Sequence, residues 1–127
     1  MYNIERNAEY LVVNFEADFD LPMMQAIIHH ETMLTEYPYT NDIWHIGPHH
    51  ADIRLSGLET MVRDFHCRCP SDATRTKTAL VVEDGQTQAI LELWASAMKK
   101  RVTFEIQMFQ SLEEAENWLE VAKEQVA

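Results

Sequence analysis

TALVVEDG at 78–85, QTQAILELWASAMKKR at 86–101, VTFEIQMF at 102–109 and QSLEEAENWL at 110–119 follow one another with very short connections. They read as a buried strand, an amphipathic helix, a second strand and a second helix. Thr78 to Val82 is a continuous apolar run, the pattern of a central parallel strand covered on both faces. After Glu83, Asp84 and Gly85, a helix buries Ile90, Leu91, Trp94, Ala97 and Met98 at helical spacing. The next strand alternates, with Val102, Phe104, Ile106 and Met108 inward and Thr103, Glu105 and Gln107 outward. Ser111 with Glu114 forms a capping box before a last helix that buries Leu112, Ala115, Trp118, Leu119 and Ala122.

The rest of the chain varies this pattern. Tyr2 to Arg6 and Tyr10 to Phe15 read as a hairpin-like pair turning at Asn7 and Ala8. Leu11, Val13 and Phe15 share one face of the second strand, and Tyr10, Val12 and Asn14 share the other. A first helix starts near Asp20 and Pro22, buries Met23, Met24, Ile27, Ile28 and Leu34, and stops at Tyr37–Pro38. Ile43 to Ile46 makes a short strand closed by Gly47–Pro48, and His49 to Leu55 reads as irregular. Ser56 with Glu59 matches a capping box, and Leu58, Met61, Val62 and Phe65 give that helix its buried stripe. Pro70 and the polar run from Ser71 to Lys77 then break the chain.

The order is therefore β-β-α-β-α-β-α-β-α. Strands joined through helices run mostly parallel, so the fold class is α/β with a mixed sheet and four to five helices. With 127 residues, 46% of them hydrophobic, one domain over 1–127 is expected. Only three glycines are present, and neither GxGxxG nor GxxxxGK[ST] occurs, which argues against a phosphate loop.

Charge narrows the partners. Against 10 Lys and Arg stand 21 Asp and Glu, a formal net charge of −11, which disfavours nucleic acid and anionic lipid headgroups. No apolar run is long enough for a membrane span and no signal-like segment leads the chain, so a cytoplasmic location is expected. Cys67 and Cys69 stand too close for a relaxed disulfide, which suits a reducing compartment.

Several segments carry a resemblance. ERNAEYLVVNFEADFDLPMMQAII at 5–28, TALVVEDG, the helix around Leu91 to Trp94, and FEIQMFQSLEEAENWL at 104–119 together resemble the SpoIIAA-like branch of the STAS-like superfamily. The resemblance implies a mixed sheet wrapped by helices, a noncatalytic regulatory role, and distant kinship with lipid-transfer folds. In the antagonist proteins of that superfamily, a helix-start serine is phosphorylated to release a partner. Ser56–Gly57–Leu58 stands at a similar place, but Arg54 occupies the position where those motifs carry Asp.

Histidines are dense at His29–His30, His45, His49–His50 and His66, and His45-x-x-x-His49 has a spacing that a turn could close on zinc. No Cys-x-x-Cys pair, His-Glu-x-x-His helix or Gly-x-Ser-x-Gly elbow accompanies them, so no metal, cofactor or catalytic set is assigned. The candidate interaction or ligand site is Trp44, His45, His49, His50, Ile53, Arg54 and Ser56, where regular structure lapses. An exposed patch around Trp44, His45 and Ile53 would serve a protein partner or a second copy of the chain. A cavity between the first and third helices would instead serve a small apolar or lipid-like ligand among the methionines and tryptophans.

Overall fold

A computed structural model describes residues 1–6, 9–68, 77–101 and 104–126, without the side chains at 38, 66, 68 and 121–126. The alternating and continuous apolar runs form strands at the expected places. Tyr2–Arg6 (β1) and Tyr10–Phe15 (β2) pair antiparallel, with Ile4 opposite Val13. Phe19–Asp20 (β3) leads directly into Leu21–Thr32 (α1). Asp20 caps this helix, accepting the Met23 N–H at 3.1 Å, and Pro22 sits in its first turn, where its missing N–H has no intrahelical role.

Helix α1 stops at Thr32, five residues short of Tyr37. The Thr32 hydroxyl turns back to the Ile28 carbonyl at 2.6 Å, and the Leu34 N–H closes a tight bond to the Glu31 carbonyl at 3.1 Å. Such bonds compete with helix propagation and tighten the final turn. Tyr37–Tyr39 then makes a single 3₁₀ turn, and Met33 is left exposed.

Asn41–Gly47 (β4) is longer than the four residues Ile43 to Ile46 at its centre, and it ends at Gly47, whose φ of 63° suits a glycine. The segment read as irregular contains Ala51–Asp52 (β5), which pairs in parallel with β3. Leu55–Arg68 (α2), Lys77–Val82 (β6), Gly85–Met98 (α3), Glu105–Phe109 (β7) and Leu112–Val126 (α4) complete the chain. The expected turn at Asn7–Ala8 and the break from Pro70 to Thr76 lie outside the described residues, as do Val102 and Thr103.

The main sheet has the order β1-β2-β4-β6-β7, parallel apart from β1. This makes β4 the middle strand, and the continuous run at 78–82 is the inner strand beside it, parallel to both of its neighbours and buried as expected. Because the strand order never turns back, crossovers of one hand put α1, α2 and α3 on the same face. There Met24, Ile27, Ile28, Met61, Leu91 and Trp94 bury against Leu11, Val13, Trp44 and Leu80. Helix α4 covers the opposite face alone, with Ala115 and Leu119 packed on Ile43, Ala79 and Val81.

The start of α4 follows its sequence motif. The Ser111 hydroxyl accepts the Glu114 N–H at 3.2 Å, and the acidic first turn favours the positive helix end. Ser111→Ala is expected to cost about 1 kcal/mol, seen as a lower urea midpoint with an unchanged slope. Among the described residues, no helix is long and apolar enough to cross a membrane.

Candidate functional site

The residues singled out around the histidine loop do not form one patch. Trp44 is fully buried, because the middle strand β4 is covered on both faces. Its ring stacks on Trp94 with centroids 6.1 Å apart, and this removes it from any exposed docking surface. Ile53 is also buried, wedged beneath α2 so tightly that a methyl group on Gly57 would lie 3.2 Å from it. His45 points to the other side of the sheet, half-buried, with Nδ1 3.4 Å from the Asn14 side-chain oxygen.

Arg54 and Ser56 bracket the start of α2. The Arg54 carbonyl accepts the N–H groups of Gly57 and Leu58 at 2.9 and 3.1 Å, so Ser56 lies inside the first turn instead of capping it. The anchoring of Ile53 and the β3–β5 ladder end the extended chain at Asp52, which lets the helix begin at Leu55.

His49 and His50 do come together with partners, at the carboxyl end of the sheet. His50 Nδ1 lies 3.2 Å from Asp84 Oδ2, and His49 Nδ1 lies 3.8 Å from Asp18 Oδ1. Asp84 caps α3, accepting the Thr87 N–H and hydroxyl, both at 2.9 Å. These Thr87 bonds, and then the bond from His50, hold the Asp84 carboxyl below its usual range. The Thr87 hydroxyl oxygen also accepts the Ala51 N–H at 3.0 Å, so the corner ties β5 to α3. Among the described residues, no three His, Cys, Asp or Glu side chains group as a metal site. Cys69 and the His66 imidazole lie outside those residues.

An open surface lies elsewhere, between α2 and α3. Leu55, Leu58 and Val62 repeat at spacings of three and four along α2. Leu93 and Ala97 do so along α3, with Arg101 next in the series. The deeper stripe of α3, with Leu91, Trp94 and Met98, is used up against the sheet. Leu93 stands about 200° around the helix from Leu91 and stays outside the core. The result is a groove of about 510 Å³ lined by Leu55, Leu58, Val62, Leu93, Trp94 and Ala97. Leu55 is 71% exposed and Leu93 54%. Glu59, Arg63 and Arg101 complete the lining.

The chain matches no known protein-family model, curated protein or solved structure.

What the groove can bind follows from its own side chains. It is apolar along its floor and charged at its edges. Helix α2 lies between α1 and α3, and the groove opens at the surface between α2 and α3. An unreversed strand order also lacks the crevice in which doubly wound sheets seat nucleotides.

A second feature went unread in the sequence. Glu31 and Asp42 are 0% and 1% exposed, on α1 and β4. The Trp44 indole N–H lies 3.1 Å from Glu31 Oε1 and 3.1 Å from Asp42 Oδ2, and the Thr78 hydroxyl donates to Asp42 Oδ1 at 2.6 Å. Burial pushes the Glu31 carboxyl well above its usual range, and the charge of Asp42 and a hydrogen bond to it push further the same way. Burial also raises Asp42, while bonds from Glu31, Thr78 and Trp44 pull it back. Burial therefore favours the protonated form of Glu31. Neither carboxyl lines the groove. The signal was available: Glu31 continues the stripe Met24, Ile27, Ile28, and Asp42 alternates with Trp44 and Ile46.

Proposed function

We propose that this chain is a noncatalytic, cytoplasmic interaction module of the SpoIIAA-like, STAS-like type, with the α2–α3 groove as its docking face. The carrying observation is the pair of exposed leucines, Leu55 and Leu93, on facing walls of an apolar groove. Its natural occupant is an amphipathic helix of a partner protein, which would lay side chains at i, i+3, i+4 and i+7 along the floor. Ser56 follows Leu55 in the first turn of α2, where a phosphate is electrostatically welcome.

A small lipid-like ligand is the second reading, because about 510 Å³ falls in the size range of small-molecule pockets. Small-molecule pockets enclose most of their ligand, whereas two helices flanked by exposed leucines leave this groove open. The helical partner is therefore preferred.

Leu93→Glu decides between them. At a half-exposed position away from caps and core contacts, the substitution is expected to change stability by no more than about 0.5 kcal/mol. Cross-linking in source cells should yield a protein partner with wild-type chain, attached at α2 or α3, and lose it with Leu93→Glu. An unchanged partner set would rule out the groove. A bound mass of a few hundred daltons in native mass spectrometry, removed by the same substitution, would establish the lipid-like ligand instead.

A further inference from the structure

The charges around the groove differ from those of the rest of the molecule. Of the seven Lys and Arg side chains described, Arg6 pairs with Glu36 and Lys77 with Glu105, both away from the groove. The other five, Arg54, Arg63, Lys99, Lys100 and Arg101, are exposed and form no ion pair among the described residues. Arg63 and Arg101 line the groove itself and Arg54 precedes Leu55, while Lys99 and Lys100 follow α3, with Lys99 turned to the other flank beside Ile106 and Met108.

The acidic residues of the same helices are largely engaged elsewhere. Asp64 accepts a hydrogen bond from Gln25 of α1 at 2.9 Å, and Glu92 accepts one from Gln88 at 3.3 Å. Among the described residues, Glu59 is the single carboxylate in the groove lining. On a chain of net charge −11, this is a cationic island around an apolar slot.

We infer that the groove's partner is an acidic amphipathic helix, with apolar side chains on one stripe and Asp or Glu on both shoulders. The inference rests on the docking role proposed above and adds the chemistry of the occupant. A second copy fits less well, since two such faces brought together would oppose Arg63 and Arg101 to one another. The chain's own acidic helix, α4, cannot supply the occupant from a neighbouring copy, because Ala115 and Leu119 are spent on its own sheet. Duplex nucleic acid would leave the leucines uncovered and meet repulsion from the rest of the surface. Leucine burial would supply most of the affinity, and the unpaired cations would choose among apolar helices.

The test is a phage-displayed library of helix-favouring peptides, about 16 residues long, selected on the full chain. An apolar stripe is varied among Leu, Ile, Val, Phe and Ala, and every other position among Glu, Lys and Gln. Selected peptides should be rich in Glu beside the stripe, bind about tenfold more weakly to an Arg63→Glu/Arg101→Glu variant, and weaken with added salt. Selection on that variant should favour Lys instead. Peptides selected on wild type with neutral or Lys-rich shoulders, yet still sensitive to Leu93→Glu, would overturn the acidic partner and leave the docking face standing. A library with no peptide sensitive to Leu93→Glu would overturn both. Duplex DNA binding abolished by the double arginine variant would assign the cations to phosphate and also overturn the inference.

Discussion

Glu31→Gln should make the protein more stable at about pH 8, seen as a higher melting temperature than wild type. The sign follows from the proton that Glu31 keeps in the folded core. Its folded pKa lies well above the ordinary value of 4.5, so the native state binds a proton that the unfolded chain releases. The contribution of this group is complete below that ordinary value and is lost as pH rises toward the folded pKa. The loss is about 1.4 kcal/mol for each pH unit crossed. Glutamine keeps an oxygen for the Trp44 N–H and an N–H for Asp42, with nothing to titrate. Thermal unfolding of both proteins between about pH 5 and 8 is the measurement. Wild type should weaken with rising pH while the variant stays nearly level, and a level wild-type profile would mean the proton is not there.

Trp44→Phe is expected to be strongly destabilising for so conservative a change, costing about 3–5 kcal/mol. The volume lost is modest, but both buried carboxyls lose their shared donor at once. Against a total stability of about 5–15 kcal/mol, that is enough to leave a large unfolded fraction on warming. Urea unfolding of Trp44→Phe, Glu31→Gln and the double variant separates packing from hydrogen bonding. If the indole N–H serves the carboxyl pair, the tryptophan substitution should cost at least about 1 kcal/mol less in the glutamine background. Additive costs would reduce Trp44 to a space-filling residue.

Most strands and helices were legible because each carries a period that no loop imitates, as in the alternation of Phe104, Ile106 and Met108 or the stripe through Leu58, Met61, Val62 and Phe65. Ser111 was legible as a cap since its motif coincides with the onset of such a stripe. The same motif misleads at Ser56. There the helix start is set by the burial of Ile53 and by the β3–β5 ladder, whose two strands are far apart in sequence. Trp44 looked available because only Ile43, Trp44 and Ile46 mark its strand as apolar, yet that strand takes the middle of the sheet. The groove was half-written in the sequence. Leu93, Ala97 and Arg101 share a helical stripe, but which of the two stripes on α3 stays uncovered depends on how far α2 reaches across it. That is a matter of packing between two helices, and no local pattern encodes it.

The unreversed order of the main sheet also bears on how the protein is made. Each parallel strand lies beside the one that precedes it in the sheet and in the chain. A polypeptide leaving the ribosome can therefore add β4 to a formed β1–β2 hairpin, then β6, then β7, with no gap kept open for a later segment. Each pairing still waits for a strand about thirty residues further on, but once that strand is made no edge is held open for a later one. Helix α4, synthesised after every strand of the sheet, closes over Ile43, Ala79 and Val81, the apolar back of a sheet whose other face is already packed.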